Sequence, residues 1–147
     1  MAQKYIVGDL VKVSLEDKEQ VVKVIGYDPT YKSYLLTNEY ICETRGCISF
    51  AKDKIKPIYL TRKILKKNGW KKEVMSRGVK NSHWVYTKPD IEEYGYFPIY
   101  IEKGIGDEFD VYPFTGNHVC TQIAYIKYVH QLQHLLFGLG LNSEMEV

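Results

Sequence analysis

"GDLVKVSLEDKEQVVKVIGYD", residues 8–28, holds two β-rich runs separated by a short polar stretch. The first, "GDLVKV" (8–13), alternates apolar and polar residues; the second, "EQVVKVIGYD" (19–28), is β-branched and ends at the turn former Asp28-Pro29. "KSYLLTN" (32–38) follows after a few residues and reads as the return strand of a hairpin. "CISFAKDKIKPI" (47–58) supplies one or two more strands before Pro57. Four or five short strands in so short a span predict a small SH3-like β-barrel over residues 1–58. Barrels of this kind are commonly binding modules, but a fold does not fix a function.

Downstream, "LTRKILKKNGW" (60–70) has both helix ends written into it. Thr61 suits an N-cap, with Leu60 and Leu65 placed as a hydrophobic staple. Gly69 can turn left-handed after the last turn and let Trp70 fold back onto Leu65. "HWVYTK" (83–88), "YFPIYIE" (96–102) and "EFDVYPF" (108–114) are separated by turn-rich segments and predict an antiparallel meander. Pro98 and Pro113 suggest edge or bulged positions. A last helix is expected from about Ile123 to Leu139, with Ile126, Val129, Leu132, Leu136 and Leu139 on one stripe against the meander. The tail "NSEMEV" (142–147) is expected to fray. The reading is therefore α+β: an N-terminal SH3-like barrel (1–58), then a linking helix and an antiparallel meander covered by the C-terminal helix (59–147), packed as one compact unit.

A chain of 147 residues suits one domain or two very small ones. Its hydrophobic share of 45% and charged share of 26% are ordinary for a globular protein. A net charge of +2 argues neither for nor against a polyanionic partner. The N-terminal segment shows no signal-peptide pattern, and no window reaches the roughly 18 apolar residues of a membrane span. Cys42, Cys47 and Cys120 form no C-x-x-C pair and read as reduced thiols. A cytoplasmic protein without a membrane partner is expected.

His130 and His134 stand four apart in "YVHQLQHLLFGLG" (128–140), half of a zinc-helix pattern. The carboxylate base such helices place between the histidines is missing, since Gln131-Leu132-Gln133 stands there. A third ligand would have to come from elsewhere, His118 or Cys120 by type. The reading without metal puts His130 on the helix flank, hydrogen-bonded together with Gln133, and makes His134 dispensable. No G-x-S-x-G elbow occurs, and Glu92-Glu93 and Asp107-Glu108 sit in turn-like stretches. "KGIGDEF" lacks the strand–turn–helix context of a phosphate loop. No catalytic residue, metal or cofactor is expected.

Charge is uneven along the chain. Residues 61–80 carry Arg62, Lys63, Lys66, Lys67, Lys71, Lys72, Arg77 and Lys80 against Glu73 alone, with Trp70 and Trp84 near in sequence. Ammonium groups beside aromatic rings suit phosphates and stacked bases. The competing reading is a lysine-rich helix face that is simply solvated. The candidate ligand-binding residues are Lys63, Lys66, Lys67, Trp70, Lys71, Trp84, His130 and Gln133.

"PIYLTRKILKKNGW" (57–70) and "YVHQLQHL" (128–135) together resemble a functionally uncharacterised family of small bacterial and phage or prophage proteins. That family carries P-I-x-L-T-x-x-x-L-x-x-x-G-[FW] and Y-V-H-x-L-Q-x-L after a short β-rich start, and the likeness spans most of residues 5–140. Its pattern has His at position 130 and usually Asn at 134. The resemblance thus speaks against a two-histidine metal site and singles out His130, Gln131 and Gln133. It implies a phage or mobile-element setting and no particular reaction. The functional expectation is a non-enzymatic binding protein that sequesters a host-defence nucleotide signal or a host protein. The alternatives are a nucleic-acid-binding accessory protein and a structural virion or assembly component, which would be a homo-oligomer.

Overall fold

The alternation of Val11 and Val13 with Lys12 and Ser14 becomes, in the computed structural model, strand β1 (Leu10–Leu15), with both valines fully buried. The structure describes residues 4–76, 82–88, 99–113 and 122–147. β1 pairs antiparallel with β2 (Lys18–Asp28), and β2 pairs with β3 (Ser33–Thr37) across a register shift between Val24 and Gly26. Asn38 then starts a helix, α1 (Glu39–Arg45), its side chain accepting a hydrogen bond from Ile41 N, and Gly46 ends it at φ 74°. Sequence reading passed over this helix, although Asn38 and Gly46 are ordinary cap residues. β4 (Ile48–Ala51) returns to β3, and a 3-10 turn, Lys52–Lys54, leads into β5 (Lys56–Pro57) beside β1. The sheet order is β4-β3-β2-β1-β5, and no ladder closes it among the described residues.

The segment after Leu60 builds a second antiparallel sheet. Helix α2 (Arg62–Lys67) forms as its caps require: Thr61 accepts from Ile64 N at 3.2 Å, Gly69 has φ 83°, and Trp70 N donates to Leu65 O. β6 (Lys71–Ser76), β7 (Ser82–Thr87), β8 (Ile99–Lys103), β9 (Phe109–Pro113) and β10 (Ala124–Ile126) follow in spatial order β10-β9-β8-β7-β6. Pro113 closes β9; Pro98 and the turn-rich 89–95 lie outside the described residues. The expected helix start at Ile123 is corrected, because residues 124–126 pair with β9. "IAYI" is β-branched and aromatic, and strand pairing outweighs its weak helix propensity. Helix α3 (Val129–Gly138) starts instead where Gln131 Oε1 reaches back to accept from Tyr128 N at 3.0 Å, half of a capping box.

The chain divides into two compact units. One comprises Met1–Tyr59, Tyr128–Gly138 and Asn142–Glu144; the other comprises Leu60–Lys127, Leu139–Leu141 and Met145–Val147. The C-terminal helix therefore belongs with the first sheet and β1, not with the meander it was expected to cover. The stripe itself holds in part: Val129, Leu132 and Leu136 are buried, Ile126 lies in β10, and Leu139 is exposed. The first unit's core is Tyr5, Val11, Val13, Val22, Val24, Tyr34, Leu36, Ile41 and Ile55. In the second unit Leu60, Leu65, Trp70, Tyr86, Ile101, Phe109 and Val111 are buried. The tail is not frayed: Met145 is buried and Glu146 N donates to Asn68 Oδ1 at 2.8 Å.

The two-residue loop between β1 and β2 places Glu16 at φ 52° and Asp17 at φ 62°. That is the left-handed pair a type I′ hairpin turn demands, filled by residues less suited to it than glycine. Asp17→Gly is expected to raise stability by about 0.5–1 kcal/mol, measured as a higher denaturant midpoint at unchanged slope.

Candidate functional site

The polar residues of α3 converge on the start of β1. Gly8, at φ 100°, lets residues 6–9 turn so that Asp9 N meets Ile6 O and Asp9 Oδ2 accepts from Ile6 N at 2.9 Å. Gln133 is buried and grips the backbone on either side of Asp9. Its Oε1 accepts from Leu10 N at 3.0 Å, and its Nε2 donates to Gly8 O at 3.1 Å and Ser143 O at 3.3 Å. His134 Nε2 lies 2.8 and 2.9 Å from the two oxygens of Asp9, whose side chain is only 2% exposed. Burial pushes the Asp9 carboxyl up, opposed by the bonds from Ile6 and His134. With Asp9 ionised, Nε2 carries the proton and donates.

His130 was expected to hold a hydrogen bond at the helix flank. It is 5% exposed, its Nδ1 has no partner among the described residues, and its ring stacks on Tyr128 and meets Tyr5 and His134 edge-on. Burial, with smaller contributions from His134 and Lys4, lowers its pKa to about 4. Ring packing rather than hydrogen bonding is what holds it. His134, expected to be dispensable, is instead the partner of a buried carboxylate. Sequence reading missed Asp9, because nothing local marks it as buried.

The space beside Asp9 and His134, bordered by Ile6, Gln133 and Phe137, amounts to about 70 Å³. That holds a water or two and falls well short of the roughly 300–1,000 Å³ of ligand pockets. An open groove of about 640 Å³ runs along β2 and α1, lined by Leu10, Val21, Lys23, Asn38, Cys42 and Glu43. Two of its polar side chains are already engaged: Lys23 pairs with Glu144 at 3.0 Å, and Asn38 bonds Gln20 and Val21. Glu39 and Glu43 on its wall oppose a phosphate.

The basic and aromatic candidates of residues 63–84 lie in the second unit, whereas His130 and Gln133 lie in the first. Lys63, Lys66, Lys67 and Lys71 are exposed on α2 and the start of β6. Trp70 is 2% exposed and is a packing residue, which removes it as a stacking platform. Trp84 is 55% exposed, opposite the exposed Val74 on the neighbouring strand. Lys72 Nζ sits 4.0 Å from the centroid of its ring. Lys72 was read only as part of the basic run; its place follows from the β6–β7 register, which sets it diagonal to Trp84. Arg77, Lys80, His118 and Cys120 lie outside the described residues, and among the described ones no group of three or more His, Cys, Asp or Glu gathers in metal-binding range. No helix among them is long and apolar enough to cross a membrane. No protein-family model, curated protein or solved structure matches the chain.

Loss of either side chain that joins α3 to the start of β1 is expected to destabilise the protein. Gln133→Leu removes the side-chain partner of three backbone groups, Leu10 N, Gly8 O and Ser143 O, and is expected to cost roughly 2–4 kcal/mol in chemical denaturation. His134→Ala is expected to cost roughly 1–3 kcal/mol, reduced from the fully buried case because the ring is 35% exposed, and His134→Asn less, since its amide can still donate to Asp9. A further prediction concerns pH. A depressed folded-state pKa means that His130 contributes stability present above about 6.5 and lost as pH falls through about 4. His130→Phe keeps a ring against Tyr5 and Tyr128 and should flatten that acid limb, worth up to about 3 kcal/mol, in unfolding curves taken at pH steps from 7 to 4.

Proposed function

We propose that the protein is a non-enzymatic binding protein, and that it takes a phosphate-bearing nucleotide, free or within a strand, on the basic and aromatic face of its second unit. The observation that carries this reading is Trp84, a large ring left exposed on a sheet with an ammonium group 4.0 Å above it. A surface cation–π contact is worth about 0.5–1 kcal/mol, while stacking a base on an aromatic ring is worth roughly 1–3 kcal/mol. A base therefore wins the ring face from Lys72, and the displaced ammonium becomes available to the phosphate. Lys71 is adjacent in sequence, and α2, which packs against β6, adds Lys63 and Lys66.

A fifth strand that returns beside the first after a 3-10 turn supports an SH3-like barrel for the first unit, a common scaffold of binding modules. The motif likeness adds a phage or mobile-element setting, in which sequestering a host-defence nucleotide is a fitting role. A second reading, an assembly component, draws on the two edge strands β6 and β10 and the exposed Tyr125 within β10. Light scattering across a concentration series separates it from the first, since only an assembly component should grow beyond monomer.

Trp84 is the exposed one of the two tryptophans, so its fluorescence reports the site. Titration with cyclic dinucleotides, ADP-ribose and a single-stranded oligonucleotide is expected to quench it with at least one of them. Trp84→Ala should lose the response, and Lys72→Ala should weaken binding and flatten its salt dependence by about 0.7 in log–log slope on a single strand. The absence of both quenching and calorimetric heat with every probe would remove this reading.

A further inference from the structure

Of the exposed lysines on α2, Lys67 is the one already held by an acidic segment. Its Nζ donates to Val147 O at 3.0 Å and lies 3.6 Å from the Glu146 carboxylate. Lys63 and Lys66 have no ion pair among the described residues. The approach of Glu146 is not a chance meeting of two surface charges, because Asn68 fixes the backbone that carries it. Asn68 caps the C-terminus of α2, donating its own N–H to Ile64 O and Leu65 O. Its carboxamide then clamps residue 146 as a neighbouring strand would: Nδ2 donates to Glu146 O at 2.7 Å, and Oδ1 accepts from Glu146 N at 2.8 Å. Met145, next along, is buried.

We infer that residues 145–147 are an internal competitor for anionic ligands at α2, an inference that rests on the ligand reading above. The clamp and the buried methionine hold the segment in place. The charge contact they impose is weak, because the Lys67 and Glu146 side chains are 47% and 76% exposed. A phosphate can therefore take Lys67, but only against a carboxylate held beside it at high effective concentration. The tail lowers affinity for weak anions without closing the site to a ligand that also stacks on Trp84.

Two variants test this with a fluorescent oligo(dT) strand as probe, titrated at several salt concentrations. One deletes residues 145–147. The other is Glu146→Gln, which leaves Met145 and the Asn68 clamp in place and guards against a folding defect in the first. The deletion is expected to bind about two- to fivefold more tightly than the intact chain, with a salt slope steeper by about 0.7 for the one lysine released. Glu146→Gln is expected to show part of that gain, since Val147 O still accepts from Lys67. Adding Lys67→Ala to the deletion should cancel the gain. Binding by the intact chain and both variants with equal affinity and slope would overturn the inference and leave the ligand reading standing. A gain that survives Lys67→Ala would overturn it too, since it would reflect bulk charge alone. Binding by none of them would take down the ligand reading and this inference with it.

Discussion

A side-chain amide does the work of a missing strand at the start of β1. On one flank β1 pairs with β2 along its whole length, but on the other β5 meets it only at Val11 and Lys12. The outward backbone groups of Gly8 and Leu10 would otherwise be left at the edge of a buried region, at a cost of about 1–3 kcal/mol each. Gln133 supplies both a donor and an acceptor there. Once it is engaged, the rotation of α3 is set: Val129, Leu132 and Leu136 turn into the core, and His134, one residue on, reaches Asp9. This clasp fixes the register between α3 and β1, while apolar burial of the core supplies most of the stabilisation of the first unit.

The same device recurs. Asn68 clamps the backbone of Glu146, and Asn38 caps α1 while donating to Val21 O. In each case a neutral carboxamide satisfies donor and acceptor together, so it can be buried without the desolvation penalty of a charge. These contacts join residues far apart in sequence, 125 positions in the case of Gln133 and Gly8 and 78 in that of Asn68 and Glu146. Histidine is used differently: His130 serves as an aromatic plate among Tyr5, Tyr128 and His134, and its low basicity follows from that placement.

The contrast between the two units bears on function. In the first, the titratable groups of α3 are spent on internal contacts, and the open groove is flanked by Glu39 and Glu43. In the second, lysines stand exposed on α2 and β6, and one large ring remains in solvent beneath an ammonium. The lysines of α2 and β6 and the Lys72–Trp84 contact are what support the proposal that the second unit takes a phosphate-bearing ligand.

Local chemistry alone determined several features of this protein: the β2–β3 hairpin, α2 with its Thr61 and Gly69 caps, the meander strands β7, β8 and β9, and the uneven placement of lysine. Each rests on neighbours within a few residues, where periodicity and capping act. The tertiary structure decided the rest. "IAYIKYV" is ambiguous between helix and strand until β9 offers a partner, and α3 is amphipathic whichever sheet it covers. Trp70 and Trp84 look alike in sequence, but one is packed away and the other exposed, because burial is a property of what arrives from distant segments. Asp9 shows the same limit most plainly: an ordinary turn residue in the sequence, it is buried by a helix more than a hundred positions away, and long-range closure of that kind leaves no local signature.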